Sequence, residues 1–340
     1  QEQDRYRAVE YYEQAADRGH MEAQYRLGCC FRDGTGVAKN AENAAKWFEQ
    51  AAKQGHADAQ CCIGICYSRG EGVEENMFAA ASWYKLAAEQ NWPRGMNNLA
   101  TCYMNGEGIE QDREIAFSLY SAAAQAGYLP AQLNLGICYL RGDGVEKNAA
   151  LCFEWAQKAA EQGYALAQCL LGDCYREGNG TEKNLQRAIT WYAKSAEQGD
   201  KGAQYQLGRA YYYGKGVEKD EEQAVHWYTK SAEQGFAPAQ YRLGEAYDWG
   251  SGVEENIFTA MEWYQKAAEQ GHTKAMCQLG LIYRDGADGI TIDSAKAVQY
   301  FEAAAAKGSA RGKNYLGECY RFGDGVAVNL EKAFRLYNEA

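Results

Sequence analysis

Apolar and small residues recur along the chain at helical spacings that form two alternating patterns. In the first, Ala59, Ile63 and Tyr67 follow one another at intervals of four, which places them on one face of a helix that we call helix A. In the second, the small residue Ala80 precedes an aromatic pair that begins at Trp83, and this stretch gives a helix that we call helix B. The pattern therefore predicts pairs of amphipathic helices.

The helix pair is repeated along the whole chain. One position of helix A is occupied by glycine, or once by alanine, in every unit: Gly28, Gly64, Ala100, Gly136, Gly172, Gly208, Gly244, Gly280 and Gly317. Successive markers are 36 residues apart (64 − 28), and the last comes one residue late because the loop 286–289 holds an extra residue. This period predicts an all-α fold, an α-solenoid of about nine helix-loop-helix repeats.

We expect a single solenoid over residues 1–340. Residues 1–22 form a partial unit with helix B only, 23–58, 59–94, 95–130, 131–166, 167–202, 203–238, 239–274 and 275–311 are full repeats, and 312–340 form a truncated last repeat. Neither end carries the polar capping repeat that a solenoid needs, so we expect the sequence to be a segment of a longer protein.

Glycine and asparagine mark the predicted helix ends. A Gly-x-Gly-Val motif, as at 34–37, closes helix A, since glycine readily adopts the left-handed backbone that ends many helices. An Asn or Asp, such as Asn40, recurs before helix B, where its side-chain oxygen is expected to cap the first turn. Helix B closes at a glycine, or once at Asn91, because asparagine tolerates the left-handed conformation best after glycine.

The composition narrows the class of protein. The formal net charge is -11, which argues against a large phosphate-binding footprint and therefore against a nucleic-acid partner. No apolar run approaches the roughly 18 residues of a membrane span, so direct membrane insertion is not expected. Because no signal segment is visible at the start, we predict a cytoplasmic protein, with a secreted, periplasmic or ER-lumen location as the alternative.

These recurring positions resemble the Sel-one-like repeat (SLR) family, a relative of the tetratricopeptide repeats. The signature runs Ala-x-x-x-Leu-Gly-x-x-Tyr-x-x-Gly-x-Gly-Val, then Asn or Asp, then Ala-x-x-Trp-Tyr-x-Lys-Ala-Ala-Glu-Gln-Gly, and it covers essentially the whole chain. The resemblance implies a right-handed superhelix of antiparallel helix pairs in which helix A lines the concave face. It also implies adaptor roles in signalling, secretion, envelope or quality-control complexes and, in some members, attachment to host proteins.

The cysteines follow the repeat. One helix A position holds Cys30, Cys66, Cys102, Cys138, Cys174 and Cys319, and in other units Ala210, Ala246 and Ile282. This interchange predicts a small buried position. Equivalent positions on stacked helices lie about 10 Å apart, beyond the roughly 4.4–6.8 Å that a disulfide spans, so we predict reduced thiols. A pair between Cys152 and either Cys138 or Cys174 stays open.

One branch of the resembled family is cysteine-rich, with a disulfide in each repeat and affinity for β-lactams. This chain departs from that branch because its cysteines do not form one pair in each unit. A β-lactam-binding enzyme is kept only as a remote alternative.

No catalytic, cofactor-binding or metal-binding residue is predicted. Cys61, Cys62 and Cys66 cluster on one helix turn, but no second chelating pair with zinc spacing accompanies them. One repeat position just after helix B holds His20, His56 and His272, which are interpreted as residues that pack the loop. Since no Ser or Cys nucleophile has a neighbouring His base, we expect a protein that is not an enzyme.

A binding surface is expected in the helix A positions that the repeat leaves variable. The first group, around the sixth and seventh units, is aromatic and charged: Arg176, Tyr205, Arg209, Tyr212, Tyr213, Tyr241, Glu245, Asp248 and Trp249. The second, in the second to fourth units, is an apolar floor: Ile65, Met104, Leu133, Ile137 and Leu140. Tyr, Trp and Arg dominate interface hot spots, and an apolar floor suits a helix or an extended peptide. The alternative is that neighbouring A helices bury both groups.

The sequence therefore predicts a scaffold or adaptor that binds a protein or peptide on the helix A face. We expect it to be monomeric or part of a larger complex. The alternative is a regulatory or effector interaction domain of a larger protein, for example one that acts in signal transduction or is secreted.

Overall fold

The computed structural model describes residues 2–340; residue 1, the first of the predicted partial unit, lies outside them. Within the described residues nineteen helices follow one another: α1 (Glu2–Asp17), α2 (Met21–Asp33), α3 (Ala41–Lys53), α4 (Ala57–Arg69), α5 (Met77–Glu89), α6 (Pro93–Asn105), α7 (Arg113–Gln125), α8 (Leu129–Arg141), α9 (Ala149–Glu161), α10 (Ala165–Glu177), α11 (Leu185–Glu197), α12 (Lys201–Tyr213), α13 (Glu221–Glu233), α14 (Ala237–Trp249), α15 (Ile257–Glu269), α16 (Thr273–Asp285), α17 (Ser294–Ala306), α18 (Ala310–Phe322) and α19 (Leu330–Asn338). The predicted all-α fold is confirmed.

The chain divides into two compact units. Unit 1 consists of Gln1–Leu170 with Gly178–Glu182, and unit 2 of Leu171–Glu177 with Lys183–Ala340. In each unit the even-numbered helices correspond to the predicted helix A and the odd-numbered ones to helix B, and successive helices pack against one another from α1 to α9 and from α11 to α19. None of the described helices combines the length and the apolar character needed to cross a membrane.

In most repeats the core is an aromatic ring of helix B set against the marker glycine of helix A. Phe48 and Tyr228 are fully buried, and a methyl group added to the facing glycine would lie 2.6 Å from the ring of Phe48 at Gly28 and 2.5 Å from that of Tyr228 at Gly208. The glycine is therefore needed because it lets the ring touch the helix A backbone.

The predicted helix caps are confirmed. Asn40 Oδ1 accepts a hydrogen bond from the backbone N–H of Asn43 at 2.9 Å, and the equivalent Asn or Asp caps every later helix B. Asn91 has a φ of 56°, the left-handed value that the sequence predicted for it. Helix ends are thus specified locally by side chains that satisfy otherwise unpaired N–H groups.

The second glycine of each Gly-x-Gly loop has a role that the sequence analysis did not identify. A Cβ at Gly36 would lie 2.5 Å from the carbonyl oxygen of Arg5, at the first helix of unit 1. Equivalent glycines such as Gly252 also lie against the start of the preceding helix B. The loop therefore rests directly on the backbone of its neighbour, which only a residue without Cβ allows.

Buried glutamines connect successive repeats. Gln60 donates from Nε2 to the carbonyl oxygen of Ala52 at 3.2 Å, and its Oε1 accepts a hydrogen bond from Gln90 of the next helix B at 2.8 Å. The same pair of hydrogen bonds is made by Gln24, Gln132, Gln204 and Gln240. Each buried amide is satisfied by the repeat before it and by the helix after it, as a buried polar group requires.

Candidate functional site

The last turn of helix A in unit 2 presents exposed aromatic side chains. Tyr213 at the end of α12 is 44% exposed and Trp249 at the end of α14 is 72% exposed. Phe322 ends α18 at the same position of the repeat and is 63% exposed, although the predicted binding set did not include it. In unit 1 this position holds Asp33, Arg69, Asn105 and Arg141. Large exposed aromatics therefore occur at this position in three repeats of unit 2, whereas Glu177 and Asp285 hold it in two others.

Other members of the predicted aromatic group lie deeper. Tyr241 is buried, and its hydroxyl donates to Glu245 Oε1 at 2.6 Å while Glu245 also pairs with Arg242 at 2.7 Å. Tyr205 is half-buried, and its ring meets the edge of Phe236 with centroids 5.4 Å apart. Because the position three residues before the marker glycine faces the neighbouring helices, these rings are part of the core packing.

Asp248 and Tyr212 are half-buried and engaged within unit 2. Asp248 Oδ2 accepts a hydrogen bond from the hydroxyl of Tyr264 at 3.0 Å, and burial raises the pKa of the Asp248 carboxyl. The ring of Tyr212 packs edge-on against Tyr213, with centroids 4.9 Å apart. Tyr212 therefore supports the exposed Tyr213 and presents less surface itself.

The aliphatic group is not an open floor. Leu133 is buried in the core, and Ile65, Met104, Ile137 and Leu140 are half-buried. Met104 packs against the core cluster around Tyr120 and Leu135. Most of the apolar surface of these residues stabilises unit 1, which follows from their placement between successive A helices.

A cleft in unit 2 lies between the last turn of α10, the first half of α11 and helix α12. We call it the α10–α12 cleft. Its volume is about 350 Å³, and its walls include Leu185, Ala188, Ile189, Ala210 and Tyr213. Four cationic side chains and one acidic side chain also line it: Arg176, Lys183, Arg209, Lys215 and Glu177. The cleft combines an aliphatic wall with an excess of positive charge.

Arg176 is held in place by negative and polar partners. Its Nη2 lies 2.7 Å from Asp173 Oδ1, its Nη1 lies 2.5 Å from Glu177 Oε1, and its Nε donates to the Tyr192 hydroxyl at 3.0 Å. Tyr192 in turn donates to Asp173 at 2.6 Å, and burial raises the pKa of that phenol. The charge of Arg176 is thereby balanced within the protein.

Arg209 has no such balance. Its Nη1 donates to Gln206 Oε1 at 3.2 Å, and its guanidinium carbon lies 5.7 Å from the ring centroid of Tyr205. Its Nε is covered and has no acceptor among the described residues, and neither has the hydroxyl of Tyr228. Lys183 and Lys215 make no ion pair within residues 2–340. Three of the four cations therefore lack a carboxylate partner.

The α2–α4 cleft of unit 1 occupies the equivalent position between α2, α3 and α4 and has a volume of about 260 Å³. Its charged lining residues are Arg32, Lys39, Arg69, Arg94 and Glu71, and its walls include Cys62, Ile65 and Cys66.

The arginines of the α2–α4 cleft have carboxylate partners. Arg32 pairs with Asp33 through two hydrogen bonds of 2.8 and 2.9 Å. Arg69 lies 3.6 Å from Glu71, and Arg94 lies 3.9 Å from Asp58. Here the arginines are paired.

Four buried cysteines of helix A in unit 1, and Cys62 beside them, are poor nucleophiles. Burial raises the pKa of the Cys66, Cys102 and Cys138 thiols to about 11 and that of Cys61 to about 12. The guanidiniums of Arg32 and Arg94 each place Nη1 3.8 Å from Cys62 Sγ, but burial outweighs them and the pKa of Cys62 is raised as well. A thiol that stays protonated reacts slowly.

The histidines that follow helix B cap the next helix as well as packing: the ring of His56 stacks on Tyr25 with centroids 4.4 Å apart, and that of His272 lies 4.8 Å from Tyr241. His20, His56 and His272 are the N-caps of α2, α4 and α16, and the Nδ1 of His56 accepts from the N–H of Ala59 at 3.3 Å. Over residues 2–340 no group of three or more His, Cys, Asp or Glu side chains is arranged to hold a metal ion.

Comparison with known proteins places the chain in one family. The Sel1 repeat model matches residues 1–20, 22–56, 57–92, 93–128, 129–164, 165–200, 202–236, 237–272, 273–309 and 310–340. No curated protein sequence matches the chain.

Solved structures agree with this match. A protective antigen of uropathogenic Escherichia coli strains that displays an SLR fold is 32% identical with a TM-score of 0.63, over 97% of this chain and 78% of that one. A Sel1 repeat protein from Oxalobacter formigenes is 28% identical with a TM-score of 0.65, over 91% of this chain and 90% of that one. Human IFIT1, solved as a dimer with m7Gppp-AAAA, shares the fold alone at 15% identity and a TM-score of 0.52, over 94% of this chain and 70% of that one. The chain belongs to the Sel1 repeat family.

Proposed function

We propose that the chain is a protein-interaction scaffold whose partner binds the helix A face of unit 2. The observation that carries this proposal is the row of exposed aromatics at one position of the repeat: Tyr213, Trp249 and Phe322. Aromatic side chains bury a large area with few rotatable bonds, and they are enriched among the residues that dominate binding energy.

The surroundings of these aromatics favour a protein partner over a nucleic acid. Glu245 and Asp248 lie on the same helix as Trp249, and the whole chain has a formal net charge of -11. A phosphate backbone would be repelled by this balance, whereas a peptide can place apolar side chains on the rings and hydrogen-bonding groups beside them. The partner class is therefore a protein or peptide.

The test removes the aromatic row and leaves the core intact. A Tyr213→Ala/Trp249→Ala/Phe322→Ala variant is expected to keep its helical circular dichroism and to lose its partners in cross-linking followed by mass spectrometry. Tyr212 is left unchanged because it is half-buried and supports Tyr213.

A matched control removes equally exposed aromatic area from helix B. Tyr11 and Phe78, at 70% and 74% exposure, are replaced by alanine in a double variant. Partners that are lost from the triple variant and kept by this control support the proposal. If both variants retain the same partners as the native chain, the helix A face of unit 2 is not the binding surface.

A further inference from the structure

We propose that the α10–α12 cleft binds the C-terminal residue of a peptide or protein partner. Arg209, Lys183 and Lys215 would hold the α-carboxylate, and Leu185 and Ile189 would contact an apolar side chain of the same residue. This inference rests on the protein-binding function proposed above, and it names the chemical group that unit 2 recognises.

The first argument is the distribution of charge in the cleft. Glu177, the acidic residue in the lining, lies 2.5 Å from Arg176, and Asp173 lies 2.7 Å from the same side chain. Both carboxylates are thus used by one cation. Lys183, Arg209 and Lys215 have no ion pair among the described residues, so an anion from outside can interact with these cations without displacing an internal carboxylate.

The second argument is an unsatisfied polar group of the cleft lining, Arg209, with a second such group, Tyr228, on the neighbouring helix α13. Arg209 is half-buried, and its covered Nε has no acceptor within residues 2–340. The hydroxyl of Tyr228 is also without a partner there, although the residue is only 1% exposed, and Arg209 and Tyr213 are among its charged or polar neighbours. A covered polar group without a partner destabilises the folded chain. Such a group calls for a partner from outside the chain, such as water, an ion or a ligand.

The third argument is the shape of the cleft. A volume of about 350 Å³ lies at the low end of the range of ligand pockets, roughly 300–1,000 Å³, so the cleft fits one residue rather than a helix. A C-terminal residue carries its carboxylate and its side chain on one Cα, so it can use the cations and the aliphatic wall together. An internal Asp or Glu would use the cations but leave Leu185 and Ile189 without an apolar contact. Inorganic phosphate has the same deficiency.

The experiment measures binding of N-terminally labelled Gly-Ser-Gly-X tetrapeptides to the full chain by fluorescence anisotropy at low salt, with X as Leu, Ile, Val or Phe. The free acids are expected to bind at least about tenfold more tightly than the same peptides with a C-terminal amide, since each tenfold step is worth about 1.4 kcal/mol. Arg209→Gln is expected to remove that difference. The matched control is Arg69→Gln in the α2–α4 cleft, which is expected to leave binding unchanged.

Three results would overturn the inference. The first is equal binding of acid and amide peptides to the native chain. The second is an amidated peptide with an internal aspartate that binds as well as the free acids. The third is inorganic phosphate that competes at the concentration of the peptides. The acid and amide comparison uses the native chain, so it stands even if a variant fails to fold.

The two proposals fail separately. If partners captured by cross-linking depend on Tyr213, Trp249 and Phe322 but persist in Arg209→Gln, the carboxylate site is wrong and the binding face is retained. If neither set of substitutions changes the captured partners, both proposals are wrong.

Discussion

The α2–α4 cleft of unit 1 and the α10–α12 cleft of unit 2 are built at the same positions of the repeat, and four cations and one acidic residue line each of them. In unit 1 Arg32, Arg69 and Arg94 each lie beside a carboxylate. In the cleft of unit 2 only Arg176 lies beside a carboxylate. Arg209, which stands at the position of Ile65 in unit 1, has no carboxylate partner among the described residues. The number of cations at a surface therefore does not by itself show whether the surface can bind an anion. What matters is how many of those cations lack a carboxylate partner within the protein.

The largest expected effect separates the clefts by thiol chemistry. Cys62 and Cys66 line the α2–α4 cleft, whereas Gln206 and Ala210 occupy these positions in the other. Burial raises the pKa of Cys66 from an ordinary value of 9.0 to about 11, so its thiolate fraction at pH 8 falls about 100-fold. Iodoacetamide labelling of Cys66, followed by peptide mapping, should be slower by about that factor in the folded chain than after unfolding.

A thiol count in denaturant without reductant complements the labelling experiment. Twelve reactive thiols are expected, one for every cysteine in the sequence. A count well below twelve would contradict the prediction of reduced cysteines, and Cys152 with Cys138 or Cys174 would be the first pair to examine. Equal labelling rates before and after unfolding would contradict the burial of Cys66.

A smaller effect is expected from two hydroxyl deletions in unit 2. Tyr192→Phe removes a donor to Asp173 and an acceptor from Arg176, and we expect the free energy of unfolding to fall by about 1–3 kcal/mol. Tyr228→Phe removes a hydroxyl without a partner among the described residues, so its stability should be unchanged or slightly higher. Urea denaturation followed by circular dichroism measures both, and hydrogen exchange locates the change. Equal losses would show that Tyr228 is also hydrogen-bonded.

The smallest effect concerns the rings that form the walls of the clefts. A methyl group at Gly172 would lie 2.6 Å from the ring of Tyr192, and Gly172→Ala is expected to destabilise unit 2 by about 1 kcal/mol. Gly136 has no ring beside it, since Ala156 stands at the repeat position that Tyr192 holds, and its added methyl would lie 3.4 Å from the Cys152 carbonyl oxygen and farther from other atoms. Gly136→Ala should therefore stabilise unit 1 by about 0.5–1 kcal/mol through helix propensity. Thermal unfolding of the two variants checks the expected opposite signs.

The repeat could be predicted because its signals are local. Asn40 and Asn91 carry their conformational preferences with them, so their caps and turns are visible in the sequence. The role of Gly36 was not predictable from its neighbours, since the atom that excludes a Cβ there belongs to Arg5 on another element. Contacts between repeats require the packing itself.

The candidate site was predictable only in part, for the same reason. Tyr213 and Trp249 were identified because they break the repeat pattern on helix A. Tyr241 and Leu133 share that variability, but neighbouring helices bury them. Lys183 and Lys215 were not predicted, because they lie outside helix A and reach the α10–α12 cleft from the loops that follow α10 and α12.

The buried glutamines have a consequence for how such a chain can change length. Gln60 donates a hydrogen bond to the preceding helix B and accepts one from the following helix B, and Gln24 and Gln132 do the same. Any repeat that carries this glutamine can therefore follow any other with each of these amides hydrogen-bonded. Duplication or deletion of a whole repeat leaves these hydrogen bonds between repeats in place. Insertion or deletion of part of a repeat would leave a buried amide without its hydrogen-bond partner. Met96, Met276 and Lys313 take the glutamine position in three units, and a junction there has no amide to match. A whole repeat is therefore the step by which such a chain can lengthen or shorten with its buried amides satisfied, and a position such as that of Arg209 would be gained or lost with it.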